Sequence, residues 1–479
     1  MWGVLRPDGL EATTIREAAR GRSDPHQQHG PRGGADRDDL ALPTIARMPA
    51  GRDPALPHGS RAAARGPTGP WRAAALLSAP HKLCFFWAAV HWSLAAAWWA
   101  AGQFAQARGL PWPWHVPAAA AHGLWFAFGP LPLFIAGFMF TAGPKWLRRP
   151  AVDARVLRAP VALFTLGWLL AVTGFHAAAP LAAAGLALAA LGWSLMAARM
   201  LRLVTGSSEP DRRHAGTVTA AAITTAACLA ASATALALHR PEALAGLVRF
   251  GLWCGIALVF IVVSHRMLPF LGDGAWPWLD ARWPDWPLWL LASVPVVQGV
   301  AALAGPWLGG RPAWHGLLAA HLALAAALSL RLSLRWLGEP PLKQPMVAML
   351  FRPLLWWDAA LWLGAAAWLP GLDDALAARL SMAFLHALAL GYLGGTLLAM
   401  VTRVTSAHAG RAQPVDRVAR GLQVLLHATA FARVLAALWP ASAAFLLPAA
   451  ALGWLVVAAT WALRHGRWLG QPRADGRPG

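Results

Sequence analysis

The chain has 479 residues, of which 57% are hydrophobic and only 13% charged. Soluble domains carry about 25% charged residues, so these proportions exclude an ordinary soluble enzyme and point to an integral membrane protein. The net charge of +20 invites a nucleic-acid partner, but the placement of the basic residues, given below, argues against one. The three cysteines, Cys84, Cys228 and Cys254, all lie in apolar runs and read as small buried residues, not a disulfide framework. Twenty-nine tryptophans against a single tyrosine predict Trp at the membrane interfaces.

Residues 1–75 are rich in Arg, Pro, Gly and Ala, with no periodic apolar pattern. They read as a disordered basic arm. The arm has no apolar core of the signal-peptide kind. Two readings of it stay open: a cytoplasmic arm, or an upstream extension ahead of a start at Met48.

Residues 80–467 read as one membrane domain, followed by a cytoplasmic tail over 468–479. A crossing helix needs about 20 apolar residues. Twelve runs meet that length, at approximately 84–104, 116–144, 160–178, 180–201, 216–239, 242–268, 287–307, 313–336, 353–370, 380–401, 420–439 and 442–463. The expected fold class is therefore all-α, a polytopic protein of about twelve transmembrane helices. Pro130 and Pro132 should kink the second run. Only residues 176–180 separate the third from the fourth. Pro269 should end the sixth, and the Trp- and Pro-rich stretch 273–287 should lie at an interface. The ninth opens with Phe351 to Asp358, which puts an acid near the inner boundary.

Orientation follows from Lys and Arg. With the arm inside, 35 of the 41 basic residues fall in the arm, the tail and the loops of one side. The loops of the other side hold four, and Arg249 and Arg433 lie within spans. That asymmetry predicts that both termini are cytoplasmic. Most of the positive charge is thus topology, and the partner it implies is the lipid bilayer.

The tenth run carries the chemistry. It reads SMAFLHALALGYLGGTLLAMVTRVTSAHAGR over 381–411. His386 interrupts its apolar part, and a membrane His is costly without a partner. Gly391, Gly394 and Gly395 thin the helix, so that another helix or a flat cofactor can come close. The run ends in Thr402, Arg403, His408 and Arg411. Counting residues from the outer side puts His122 and His386 at a similar depth. His315, His321, Arg249 and Arg433 fall in the same outer half. Neutral imidazole binds haem iron or copper, and an intramembrane Arg can pair with a haem propionate. A second group, His81, His265, Arg266, Arg403, His408 and Arg411, falls at the cytoplasmic level. Copper, a second haem or plain lipid-phosphate contact all fit it. His176, His239 and His465, at helix ends, read as packing residues. The chain lacks a Walker loop, a dinucleotide fingerprint and a Cys-x-x-Cys-His element for covalent haem.

Four stretches carry a family likeness. They are PHKLCFFWAAVHWSLAAAW (80–98), HGLWFAFGPLPLFIAGFMFTAGPKW (122–146), HRMLPFL (265–271) and the tenth run with His386, Gly391, Gly394, Thr402, Arg403, His408, Gly410 and Arg411. On these the chain resembles the NnrS family. The resemblance implies a twelve-helix inner-membrane protein holding b-type haem and copper, tied to the response to nitric oxide. It carries His122, His386, His408, Arg403 and Arg266 over as motif positions. From depth and motif together, His122 and His386 are the expected haem ligands, with Arg249 or Arg433 beside a propionate; His265 and His408 are the further metal candidates. One departure stands out. The family often has His-x-His-Glu-Met where this chain has His122, Gly123, Leu124, Trp125 and Phe126, so a second His and a Glu are missing. His115 is the one nearby substitute. The alternative function is a metal-free transporter or permease for a small molecule, though no convincing internal repeat is visible. A haem-copper reductase ranks low, because no adjacent His-His pair exists.

Overall fold

A computed structural model describes residues 69–271, 285–337, 342, 344–411 and 415–475. Most of the 1–75 arm, nearly all of the 273–287 stretch and the last four residues lie outside the described residues. The described residues are all-helical and belong to one compact unit. Twelve helices are long and apolar enough to cross a membrane. They are α1 (Pro80–Ala107), α2 (Ala118–Trp146), α3 (Arg158–Ala177), α4 (Ala179–Thr205), α5 (Arg213–Ala237) and α6 (Pro241–Met267). They continue as α7 (Asp285–Leu308), α8 (Pro312–Leu337), α9 (Pro345–Ala367), α10 (Asp374–His408), α11 (Arg417–Leu438) and α12 (Ala443–Leu469). Sequential helices pack as antiparallel neighbours, and α1 closes the bundle by packing on both α2 and α12.

The weakest boundary in the sequence, between the third and fourth runs, is a sharp one in three dimensions. Ala178 alone leaves the helical conformation, with φ −166° and ψ 135°. Glycines then let α3 and α4 touch backbone to backbone. A Cβ on Gly185 would lie 2.2 Å from the Ala171 nitrogen, and one on Gly167 2.3 Å from the Ala189 nitrogen. Such contact is how helices associate in lipid, where apolar side chains gain nothing by leaving the hydrocarbon.

Proline shapes three other helices. α2 breaks at Gly129, directly before Pro130, because the prolines at 130 and 132 have no N–H to continue the helical hydrogen bonds. α9 starts at Pro345, eight residues before the expected 353, with Pro345 in its first turn, where a missing N–H costs nothing. Asp358 therefore sits well inside the helix, not near its boundary. It is buried and accepts a hydrogen bond from Ser329 of α8. α6 was expected to end at Pro269, but the helix continues to Leu271. Two segments widen into π-helix, Gly251–Ala257 in α6 and Ala387–Gly394 in α10. The second begins directly after His386, and π segments often mark functional sites.

Tryptophan does not stay at the interfaces. Trp92, Trp168, Trp193 and Trp461 are fully buried. Trp193 donates to the Ala222 carbonyl (2.8 Å) and Trp461 to the Thr402 hydroxyl (3.0 Å). Flat rings fill the space between helices, and two of these four satisfy their N–H internally.

Gly185→Leu should lower the melting temperature of the detergent-purified protein by forcing α3 and α4 apart, at about 1–3 kcal/mol or more. Gly216→Ala, where a Cβ meets nothing within 4 Å, should leave it unchanged.

Candidate functional site

Two groups of polar side chains lie at opposite ends of the bundle. At the end away from the chain termini, α2, α10 and α11 bring His122, His386 and Arg433 together. His386 lies twelve residues into α10 and His122 four residues into α2, so their depths do not match by residue count. The first turns of α10 are polar, with Asp373 capping the Leu376 N–H (2.9 Å). Despite the offset, Arg433 lies within electrostatic range of both imidazoles, and the imidazoles within range of each other.

Each ring is held differently. His386 Nδ1–H donates to the Met382 carbonyl (2.9 Å), which leaves the lone pair on Nε2. His122 stacks on Trp99 (centroids 4.0 Å, planes 27° apart) and leans on Phe126 (4.4 Å). Its Nδ1 is buried with no hydrogen-bond partner among the described residues. Among the described residues, no hydrogen bond or ion pair engages Arg433 either. Both imidazoles are half-buried. Arg249 is not part of this group. It is exposed, one residue beyond the Val248 that packs against Gly123 beside His122. His321 pairs with Ser293 (2.8 Å), His315 lies edge-on to Trp368, and His115 is exposed on the loop before α2.

The glycines of α10 receive side chains. A Cβ on Gly391 would lie 2.4 Å from the Trp356 indole, and one on Gly395 2.8 Å from Pro353. Trp356 in turn donates to His427 Nδ1 (3.0 Å). The thin stretch is thus a seat for α9, and the flat partner it accepts is an indole.

At the terminus-bearing end the four motif stretches converge. His81 of α1 packs against His408 of α10 with centroids 4.1 Å apart. Thr141 of α2 lies 3.5 Å from His81 Nδ1 and donates to the Gly137 carbonyl. Phe85 fills the space left by Gly137, where a Cβ would lie 2.7 Å from its ring. Arg266 of α6 stacks over Trp146 of α2 at 4.8 Å, and Arg411 over Trp468 at 4.7 Å. Arg403 is half-buried on the same helix as His408. His265 pairs with His214 of α5, Nδ1 to Nε2 at 3.3 Å. Sequence reasoning missed His214, since a lone His at the start of a helix carries no signal until the fold sets another beside it. Between the two ends, an apolar cavity of about 80 Å³ lies among α1, α2, α6, α9 and α10. Phe85, Met267, Met400 and Val404 are in its lining, with Ser264 and Thr396 as its polar members.

A profile for the family described as NnrS protein matches residues 75–473. The chain belongs to the NnrS family. Among curated proteins nothing matches it. This NnrS-family chain departs from the usual second-helix motif at positions that the fold uses for packing: Leu124 is fully buried, and the Trp125 ring lies against Trp98 and Trp168. No group of three or more His, Cys, Asp or Glu side chains among the described residues is arranged to hold a metal ion.

His176 shows how a packing histidine looks. Its Nδ1–H donates to the Pro113 carbonyl (2.6 Å) and its Nε2 accepts from Trp98 (2.7 Å). His176→Ala should destabilise the protein by about 1–3 kcal/mol, the cost of the indole N–H it strands, as read by thermal unfolding. It should leave any bound iron or copper per chain unchanged.

Proposed function

We propose that this NnrS-family chain is a haem-containing inner-membrane protein of the nitric-oxide response. The convergence of His122, His386 and Arg433 at one end of the bundle carries the reading. The donor set fits haem: two ring nitrogens suit iron, and a guanidinium without a carboxylate partner suits a propionate. His122 and His386 would hold the iron and Arg433 a propionate. When bound, haem would supply a redox-active iron centre. The protein's own part is to fix the rings. Met382 sets the His386 tautomer, and Trp99 and Phe126 hold the plane of His122. The sequence has no Cys-x-x-Cys-His element, so the haem would be of b type.

Nitric oxide is small and weakly polar, and it partitions into lipid. The apolar cavity of about 80 Å³ is of a size for such a molecule and too small for a porphyrin. Copper, which the family resemblance also implies, has its best candidate donors in His214 and His265. Two imidazole nitrogens about 2.05 Å from a tetrahedral ion lie about 3.3 Å apart, the separation observed. That separation equally suits a single hydrogen bond, so metal content decides. His408 is a poorer candidate, because Lys82, Lys145 and Arg473 lie within its electrostatic range and disfavour a cation.

The basic-residue asymmetry supports an inner-membrane location with both termini in the cytoplasm. It also supports a layout of arm, membrane domain and short tail. Family membership does not favour the metal-free permease.

His386→Ala should abolish the haem absorption of the purified protein, and His122→Ala should abolish it or shift it to a five-coordinate spectrum. Arg433→Gln should keep the spectral type and lower haem retention in dilute detergent by about tenfold, the size of one charge-assisted hydrogen bond. A His386→Ala protein with full haem content would remove His386 as ligand. If copper binds at α5 and α6, His265→Ala should lower copper per chain and leave iron unchanged.

A further inference from the structure

The packed pair His81–His408 sits in an unusual electrostatic setting. His81 is 2% exposed, and its Nε2 is buried with no hydrogen-bond partner among the described residues. Lys82, the next residue of α1, is only 6% exposed. Lys145 lies one turn beyond Thr141, the residue that touches His81. From the chain's end, Arg473 reaches back and donates to the His408 carbonyl (3.3 Å). Two imidazoles and three cationic side chains are thus gathered at one end of the bundle. A buried Lys beside further cations is costly unless an anion offsets the charge.

One acid is already there. Residues 471–475 are pinned to the end of α10, with the Ala474 N–H on the Ala409 carbonyl (2.9 Å). Asp475 binds Arg473 through both oxygens, to Nε (2.9 Å) and Nη2 (2.6 Å). Its carboxylate lies against Gly410, where a Cβ would be 2.6 Å from the carboxyl carbon. Gly410 has φ +63° and closes the helix in the left-handed conformation that glycine adopts freely. Its missing side chain leaves room for the carboxylate. Asp475 is itself exposed, on a short tail, and so can be displaced at modest cost.

We propose that this end of the bundle is a binding site for a small oxyanion group, formed by His81, Lys82, Lys145, His408 and Arg473, and that Asp475 is its built-in competitor. The ligand chemistry is a compact, multiply hydrogen-bonding anion such as phosphate or nitrate, or the phosphate of an anionic lipid headgroup. The site lies at the opposite end of the bundle from His122 and His386 and does not depend on their binding a metal. It gives a purpose to a buried Lys and an orphaned imidazole nitrogen that the haem reading leaves unused.

The test uses the full-length protein in nanodiscs. In discs of zwitterionic phosphatidylcholine alone, inorganic phosphate and nitrate are titrated and the melting temperature and binding isotherm recorded. In a second arm, phosphatidylglycerol replaces part of the lipid with no added anion. Saturable stabilisation in the first arm supports a free oxyanion as ligand; stabilisation confined to the second supports a lipid headgroup. Asp475→Asn should tighten binding in the responding arm by about three- to fivefold, the scale of a half-exposed charge pair. Lys82→Gln should weaken it by about tenfold or more, the scale of a charge-assisted hydrogen bond. Because Asp475 is on an exposed tail, its variant tests the idea even if Lys82→Gln does not fold. No response in either arm, or an Asp475→Asn protein that binds as the wild type does, overturns the proposal.

Discussion

An imidazole or guanidinium inside a bilayer must find its hydrogen bonds within the protein, because hydrocarbon offers none. Most of this bundle's polar chemistry obeys that constraint. His176 is closed by Trp98 and a backbone carbonyl, His427 receives the Trp356 indole, and His91 meets Thr165 at 3.3 Å. These pairings join helices that are far apart in sequence, so they fix the bundle as well as satisfy it. Single ring nitrogens without a partner remain even there, on His91 and His427, but at two places several such polar groups gather. His122, His386 and Arg433 gather at one end, and His81 with its neighbouring cations at the other.

The two ends differ in character. The His122 end has two rings and one cation, with aromatic walls. The His81 end has two rings among three cations, with an acid from the tail. Neutral nitrogen donors with a single positive neighbour suit a metal macrocycle that carries its own carboxylates. A crowd of fixed positive charge suits an anion. The apolar cavity between them is lined by Phe and Met side chains and holds little that is polar. The bundle thus offers a hydrophobic interior flanked by two chemically distinct polar sites.

Much of this was legible in the chain alone. Twelve spans follow from apolar length, and the alternation of basic loops counts them independently. That His122 and His386 come within electrostatic range of each other agrees with the similar depth read from the sequence, although counting from the observed helix starts does not give it. α10 begins earlier than its apolar run, since capped polar turns continue a helix that hydropathy cannot see. α9 likewise starts earlier than expected, through the largely apolar residues 345–352, and this gives Asp358 its buried setting. Arg249 looked equivalent to Arg433 by position along its helix, but a residue's azimuth decides which face it takes, and Arg249 faces outward. His214 beside His265, and the tail folding back onto His408, are contacts between distant segments that carry no local signal. The glycines of α10 announced close approach correctly, while only the fold shows that an indole and a proline take the space.

The most direct measurement is an optical spectrum of the detergent-purified wild-type protein, oxidised and dithionite-reduced, with iron and copper counted on the same sample. The account predicts a Soret band, reduced bands of b type and stoichiometric iron. A monodisperse, folded protein that is colourless and free of iron would contradict it, and would leave His122 and His386 as packing residues.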